Sequence, residues 1–291
     1  SSQQFTLYVA ASIVPTISTP TIAEANSEVS SKYSAPTSWP SSLHVKGKSY
    51  PTLNFSGTGN KGSSITKYAL LCYTGDTLSK TIEAASIAAL NTTIESQFDK
   101  NTQYTYKARV TDSRGRTAIS SALTFTLTDY SAPTIGATYF AERCDSTGAL
   151  KDEGTYLKLQ FSGNISALAI NNASYNPLTV AVSYCEVGQS ETTQTYINAS
   201  TSVHSFDYTG NNRQILSKTN GFDASKTYDI TFKVSDIFTT LTRTVRVGTS
   251  FVLIDFRNTG HGIGIGKASE KDALEINMDV EITGDIDING D

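Results

Sequence analysis

Alternation of apolar and polar residues with a period of two is the dominant pattern along the chain. It is clearest at residues 104–112 (YTYKARVTD) and again at residues 228–236 (YDITFKVSD), and both stretches end in aspartate. Alternation of this kind predicts a strand with one buried face, and the closing aspartate indicates that the strand runs into a turn. The chain is therefore expected to be built mainly from half-buried strands.

Short motifs recur along the chain and divide it into two repeats. Residues 53–57 (LNFSG) return as residues 159–163 (LQFSG), and residues 15–17 (PTI) return as residues 133–135. Each repeat is about 118 residues long and is interrupted at short intervals by Gly, Asn, Asp and Pro. Short strands at this spacing are typical of a β-sandwich of the immunoglobulin or fibronectin type III kind.

The repeats also define the expected domain boundaries. The two tandem sandwiches should span residues 15–132 and 133–250, and residues 251–291 should form a separate C-terminal segment rich in β-structure. Residues 1–14 should be the last strand of a preceding repeat or a linker, because residues 5–7 (FTL) match a motif near the end of the first repeat.

The composition agrees with an all-β fold and narrows the range of partners. The 76 Ser and Thr residues, with 15 Tyr and 12 Phe, favour strands because β-branched and aromatic side chains suit a pleated surface. The net charge of −4 divides into +3 over residues 15–132, −1 over residues 133–250 and −6 over residues 251–291. No stretch carries the dense basic face that nucleic acid requires, and no run of apolar residues is long enough to span a membrane.

The C-terminal segment alternates strongly but is too short to bury a core by itself. Apolar strand positions left in water would invite aggregation, so we expect identical segments to associate with these positions facing inward. The predicted association residues are Ile263, Ile265, Ile276, Met278, Val280, Ile282, Ile286 and Ile288.

Several motifs resemble a known family. Residues 251–256 (FVLIDF), 260–267 (GHGIGIGK) and 270–279 (EKDALEINMD) look like the segment near the end of minor structural tail proteins of siphophages that infect Gram-positive bacteria. Residues 110–117 (VTDSRGRT) and 143–148 (RCDSTG) resemble the repeat boundaries of the same family. The resemblance covers nearly the whole chain in matching order.

This resemblance implies a role but no site. It implies a virion protein of the tail tip or baseplate, assembled in the host cytoplasm as a trimeric fibre that presents or forms a host-adsorption surface. The implied partners are two further copies through residues 251–291, other tail or baseplate proteins, and host cell-wall polysaccharide or teichoic acid. The family has no catalytic residues to transfer, and no cofactor is expected.

Candidate catalytic residues are sparse. His44, His204 and His261 lie in three different parts of the chain, and no Ser or Cys beside them matches a known nucleophile signature. Asp145 with Asp152 and Glu153 could form a carboxylate pair, but solvated loop charges are the better interpretation. The sequence therefore predicts a protein that is not an enzyme.

Cysteine and metal chemistry is also limited. Cys72, Cys144 and Cys185 are odd in number and widely spaced, which argues against a disulfide framework, with a Cys144–Cys185 bridge as the alternative. Residues 285–290 match the first half of a calcium loop through Asp285, Asp287 and Asn289, although outward carboxylates on a strand explain the pattern better. Three copies of His261 near a common axis could trap a transition metal, against the simpler interpretation of an exposed turn histidine.

Three residues are candidates for contacting glycans. Trp39 lies between Pro36 and Pro40 and could stack on a sugar ring, or it could seal the end of a sandwich core. Arg114 and Arg116 fall at a predicted hairpin tip, where they could bind an anionic wall polymer or merely solubilise the turn. These residues support the alternative function, a carbohydrate-binding module of a bacterial surface adhesin or of a secreted glycan-degrading enzyme.

Overall fold

The computed structural model describes residues 8, 10–94, 103–250, 254–257, 260–266 and 269–281. The chain divides into two compact units. The first unit extends to Ala132 and also includes Ser166–Asn176, whereas the second comprises Pro133–Ile165 and the described residues from Pro177 onward. Within the described part of the chain, every helix is too short or too polar to cross a membrane.

Strands dominate the chain as far as Thr128. In order, its elements are β1 (Thr16–Ile17), β2 (Thr21–Glu24), α1 (Ser27–Ser30), β3 (His44–Val45), β4 (Pro51–Asn54), β5 (Gly57–Thr58), β6 (Ile65–Thr74), β7 (Thr77–Ala84), α2 (Ile87–Ile94), β8 (Gln103–Asp112), β9 (Thr117–Ile119) and β10 (Leu123–Thr128).

The remainder of the chain continues with strands. They are β11 (Thr134–Ile135), β12 (Phe140–Cys144), β13 (Tyr156–Asn164), β14 (Ala169–Ile170), β15 (Ala173–Ser174), β16 (Leu178–Glu186), β17 (Thr192–Ser200), β18 (Ser205–Tyr208), β19 (Gln214–Leu216), β20 (Tyr228–Ser235), β21 (Thr240–Val247), β22 (Ile254–Phe256), β23 (Ile263–Ile265) and β24 (Leu274–Ile276).

The first unit is organised around strand β8. Its sheet has the order β3-β10-β8-β6-β7, with β9 also pairing with β8, while β2 pairs with β4 and β1 with β5. Every second residue of β8 is buried, as the alternation predicts. These residues pack with β4, β6 and helix α2 in one core, which includes Leu53, Phe55, Leu70, Leu90, Ile94, Tyr106, Ala108, Val110 and Leu127.

The second unit is a β-sandwich of two sheets. One sheet contains β11, β12, β13, β18 and β19, and the other has the order β17-β16-β20-β21. Alternate residues of β13 and β20 face each other across the core, where the rings of Phe161 and Phe232 lie 4.7 Å apart. Position 163, the last of the repeated motif, requires glycine because a Cβ there would lie 2.3 Å from the carbonyl oxygen of Thr134.

The strands β22, β23 and β24 form a separate small sheet. Strand β22 is antiparallel to β23, and β23 is parallel to β24. The two parallel strands are joined by a connection of eight residues, from Gly266 to Ala273. All three strands belong to the C-terminal segment predicted from the sequence.

The predicted all-β fold is confirmed for the described residues, in which α1 and α2 are short. The alternating stretches 104–112 and 228–236 form strands β8 and β20. The structure differs from the predicted division in Ser166–Asn176, which is grouped with the first unit although its sequence lies inside the second repeat. The strand expected at residues 5–7 lies outside the described residues.

Candidate self-association surface

One face of the small C-terminal sheet is made of six apolar residues. Direct cross-strand neighbours point to the same side of a sheet, and so do residues two apart on one strand. The register pairs Phe256 with Ile263 and Ile263 with Leu274, and it pairs Ile254 with Ile265 and Ile265 with Ile276. We call this set the C-terminal apolar face: Ile254, Phe256, Ile263, Ile265, Leu274 and Ile276.

The C-terminal apolar face is largely open to solvent. Phe256 is 71% exposed and Leu274 is 62% exposed, and Ile254, Ile263 and Ile276 are also exposed. Isolated exposed apolar side chains are normal, but a contiguous group on a regular sheet marks an interaction surface. The face is therefore a candidate interaction surface.

Local hydrogen bonds determine the shape of the chain that carries this face. The Glu275 carboxylate accepts the backbone N–H groups of Glu270 and Lys271 at 2.6 and 2.8 Å, which closes the connection between the parallel strands. The Arg257 guanidinium donates to Asp272 at 2.9 Å. At Gly262 a Cβ would lie 2.1 Å from the carbonyl oxygen of Lys271, so only glycine fits there.

The association residues predicted from the sequence are partly placed by this sheet. Ile263, Ile265 and Ile276 lie on the C-terminal apolar face, and Met278 and Val280 are exposed just beyond β24. Ile282, Ile286 and Ile288 lie outside the described residues. The prediction missed Ile254, Phe256 and Leu274, although the alternation in residues 254–256 (IDF) and 274–276 (LEI) carries the same signal.

Trp39 is buried in the first unit and does not form a glycan platform. Its side chain is 3% exposed, and its indole N–H donates to the carbonyl oxygen of Tyr175 at 3.1 Å. A ring without an open face cannot stack on a sugar. This finding corrects the predicted glycan contact, because Trp39 acts as a packing residue.

The side chains of Arg114 and Arg116 are held by other segments of the first unit. The Arg114 guanidinium donates to the carbonyl oxygens of Asn60 and Lys61 and to Ser63, and Arg116 donates to the carbonyl oxygen of Ile13 at 2.8 Å. Both terminal nitrogens of Arg114 and one of Arg116 are therefore used within the fold rather than offered to a polymer. Both side chains are half-buried, which corrects the expectation of an exposed hairpin tip.

Asp112 organises the same turn. Its buried carboxylate accepts the backbone N–H groups of Arg114 and Arg116 at 3.0 and 2.9 Å. Burial raises the pKa of this carboxyl, but hydrogen bonds from Arg116, Ser63 and Arg114 outweigh it and hold the pKa below its ordinary value. Asp236 accepts from Phe238 and Thr239 in the corresponding turn of the second unit, so the aspartate that ends each alternating stretch has the same structural role.

The three histidines are not brought together. His44 is buried in the first unit, where Nδ1 lies 3.2 Å from the carboxylate of Glu24. His204 belongs to the second unit, and His261 is exposed at the turn between β22 and β23. Among the described residues there is no group of three or more His, Cys, Asp or Glu side chains that could hold a metal. Asp285, Asp287 and Asn289 lie outside the described residues.

The three cysteines and Asp145 occupy structural positions in their own units. Cys72, Cys144 and Cys185 are all free thiols, so the alternative Cys144–Cys185 bridge is not formed. Burial raises the pKa of the Cys72 thiol to about 11. Asp145 accepts hydrogen bonds from the hydroxyl and backbone N–H of Thr147 and from the N–H of Ala149, which lowers its pKa and closes a turn.

A pocket of about 440 Å³ in the second unit is lined in part by Glu142, Arg143 and Asp152. Arg143 does not offer a free cation to this pocket, because its guanidinium donates to four carbonyl oxygens: those of Gly154, Asp223, Lys226 and Gly248. Burial lowers the pKa of Arg143. The bonds connect strand β12 to three other segments of the same unit, which is a structural role.

The fold and this surface define a protein of two compact β-rich units with an exposed apolar sheet near the C-terminus. The sequence matches, over residues 1–290, the family described as siphovirus protein of unknown function (DUF859). The chain belongs to this family and is therefore a siphovirus protein. The resemblance to siphophage proteins is confirmed at that level.

Other comparisons add little about function. No curated protein matches the sequence. Among solved structures, the crystal structure of chicken CNTN1 FN1-FN3 domains is similar at 10% sequence identity and a TM-score of 0.25. The match covers 64% of this chain and 57% of that one, so this chain spans little more than half the length of its neighbour.

Proposed function

We propose that this protein is a non-enzymatic structural component of a phage tail fibre or baseplate. In this proposal the β-sandwich units act as spacers, and residues 251–291 join three copies so that a host-adhesion region is presented at the cell surface. Threefold association would convert weak contacts with the cell into avidity. The observation that carries the proposal is the C-terminal apolar face.

The energetics favour a second and third copy as the occupants of this face. Burying one large apolar side chain that was fully exposed contributes about 1.5–3 kcal/mol. The C-terminal apolar face offers six apolar side chains, of which five are 38–71% exposed, so each contributes only part of this amount when a symmetry-related copy covers it. Association through identical sheet faces would also cover apolar surface that promotes aggregation when it is exposed.

Charge sets a condition on this association. Residues 251–291 carry nine acidic and three basic side chains, so copies repel each other, and the repulsion is weakest when the acidic groups stay in solvent. The apolar attraction must exceed this repulsion. Because salt screens charges between exposed groups, we expect association to become stronger as the salt concentration rises.

Light scattering on the full chain tests the proposal. The expected mass is three times the chain mass of 31.2 kDa. Substituting Phe256→Thr and Leu274→Thr should reduce it to the mass of one chain, because threonine keeps strand propensity but removes apolar surface. A matched control is Leu150→Thr, since Leu150 is 59% exposed in the second unit and lies outside the face.

Two results would contradict this proposal. A monomer at high protein and salt concentration would remove the self-association, and a stable dimer would replace the threefold assembly by a twofold one. The alternative function, a carbohydrate-binding module, predicts a monomer with glycan affinity. Its predicted contact Trp39 is buried, and its predicted contacts Arg114 and Arg116 donate to backbone carbonyl oxygens of other segments of the first unit.

A further inference from the structure

The segment Ser166–Asn176 has an unusual place in the chain. It is grouped with the first unit, yet the residues before and after it, Pro133–Ile165 and those from Pro177 onward, belong to the second. We call Ser166–Asn176 the arm. Both of its ends lead directly into core strands of the second unit, since β13 ends at Asn164 and β16 begins at Leu178.

The arm has a well-defined local structure. Strands β14 and β15 form a hairpin in which Ala169 pairs with Ser174 and Ile170 with Ala173. The two turn residues, Asn171 and Asn172, have φ values of +52° and +63°. A two-residue turn with positive φ at both positions is the one that suits the twist of a hairpin, and asparagine tolerates it better than most residues.

The base of the arm is closed by hydrogen bonds of its own. The Asn176 side-chain amide donates to the carbonyl oxygen of Ser166 at 2.7 Å, and the Ser174 hydroxyl donates to the carbonyl oxygen of Ala167 at 2.5 Å. The backbone N–H of Asn176 also donates to Ala167 at 3.3 Å. The arm is therefore preorganised, which reduces the entropy lost when it binds a surface.

Contacts at both ends of the arm hold it in the first unit. The Trp39 indole N–H donates to Tyr175 at 3.1 Å. The backbone N–H of Ser131 donates to the Ser166 hydroxyl at 2.6 Å, and that hydroxyl donates back to the Ser131 carbonyl oxygen at 2.9 Å. These contacts join residues that are far apart in the sequence.

Leu168 gives independent evidence that the arm is packed and not free in solvent. Its φ value is +48°, a left-handed conformation that is costly for leucine, and its side chain is 1% exposed. A strained conformation of this kind persists only where the surrounding structure holds it in place. Burial of the leucine side chain provides that restraint.

We propose that the arm is a strap, contributed by the second repeat, that completes the first unit and protects Trp39. The first unit is then not an autonomous domain, although the sequence repeat suggests one. Folding of β13 and β16 restrains both ends of the arm, so the loop entropy lost on docking is smaller than for a free peptide. The stability of the first unit therefore depends on a segment that lies beyond its own repeat.

Fluorescence of the full chain tests this proposal, because Trp39 is the single tryptophan and reports on the first unit alone. The decisive variant replaces residues 168–175 by an equally long Gly/Ser run, which cannot form the hairpin. We expect its emission maximum to shift to longer wavelength, its protection from acrylamide quenching to fall, and the denaturant midpoint of the Trp39 signal to decrease. Unchanged emission and an unchanged midpoint would overturn the proposal.

A milder variant distinguishes loss of the hairpin from general misfolding. The double substitution Asn171→Val and Asn172→Val disfavours the left-handed turn, because β-branched residues resist positive φ. Its matched control is Asn220→Val, since Asn220 has a φ of +65° and is exposed in the second unit. We expect the red shift in the double variant and not in the control, and the same shift in both would overturn the proposal. The test does not depend on self-association, so it fails or succeeds separately from the proposed function.

Discussion

Replacing Phe161 with alanine is expected to lower the free energy of unfolding of the second unit by about 3–5 kcal/mol. Phe161 is fully buried, and its ring lies 4.7 Å from that of Phe232 and 5.1 Å from that of Phe206. Alanine removes these contacts and leaves a cavity that the two sheets cannot close completely. Since single domains are stable by only about 5–15 kcal/mol, this would be a large fraction of the total.

Urea unfolding followed by far-UV circular dichroism, with hydrogen exchange of the β13 and β20 amides, measures this loss. Leu150→Ala serves as the control in the same unit, because Leu150 is exposed and its truncation creates no cavity. Phe55 holds the position equivalent to Phe161 in the first repeat and is also buried. A change below about 1 kcal/mol for Phe161→Ala would contradict the tight core described for the second unit.

Replacing Glu24 with glutamine is expected to destabilise the first unit by about 1.5–3 kcal/mol at neutral pH, the range for hydrogen bonds to charged groups. The carboxylate accepts the backbone N–H groups of Asn26 and Tyr50 at 2.9 and 2.8 Å and lies 3.2 Å from Nδ1 of His44. Burial raises the pKa of Glu24, but the hydrogen bonds from His44, Asn26, Tyr50 and Ser49 outweigh it and lower the pKa from its ordinary value of 4.5.

The sign of the pH dependence follows from this lowered pKa. The folded state binds the proton less tightly than the unfolded state, so Glu24 contributes stability that is fully present above about pH 4.5. That stability is lost as the pH falls through the lower pKa of the folded protein. We therefore expect the difference between the parent protein and Glu24→Gln to shrink on acidification below pH 4.5.

Urea unfolding monitored by Trp39 fluorescence, at neutral pH and through the acid range, checks this expectation. The control is Glu28→Gln, because Glu28 is exposed and lies 3.4 Å from Lys48, and such surface pairs contribute about 0–1 kcal/mol. A stability difference for Glu24→Gln that stays constant, or that grows on acidification, would contradict the assigned hydrogen-bond network.

The nature and order of the strands could be read from the sequence because they depend on local periodicity. The alternating stretches that end in Asp112 and Asp236 form strands followed by aspartate-closed turns, as predicted. The C-terminal alternation likewise identified Ile263, Ile265 and Ile276 as residues of one sheet face. Side-chain direction on a strand follows from position parity alone, so no distant contact is needed for this inference.

The environment of the glycan candidates could not be read in the same way. Trp39 stands in a segment rich in Pro and Ser, which suggests an exposed loop, but its indole is bonded to Tyr175, 136 residues further along the chain. Arg116 similarly reaches Ile13, 103 residues earlier. Burial of a single side chain depends on contacts between remote segments, and a local pattern contains no information about them.

The sequence by itself determined the β-rich fold, the two repeats and the apolar character of the C-terminal strands, because each follows from short-range periodicity or from repeated motifs. Only the tertiary structure decided that Trp39 is a packing residue, that Glu24 and His44 share a buried network, and that Ser166–Asn176 belongs to the first unit. The physical reason is that docking, burial and hydrogen bonding between distant residues are properties of the folded chain, in which many weak contacts act together.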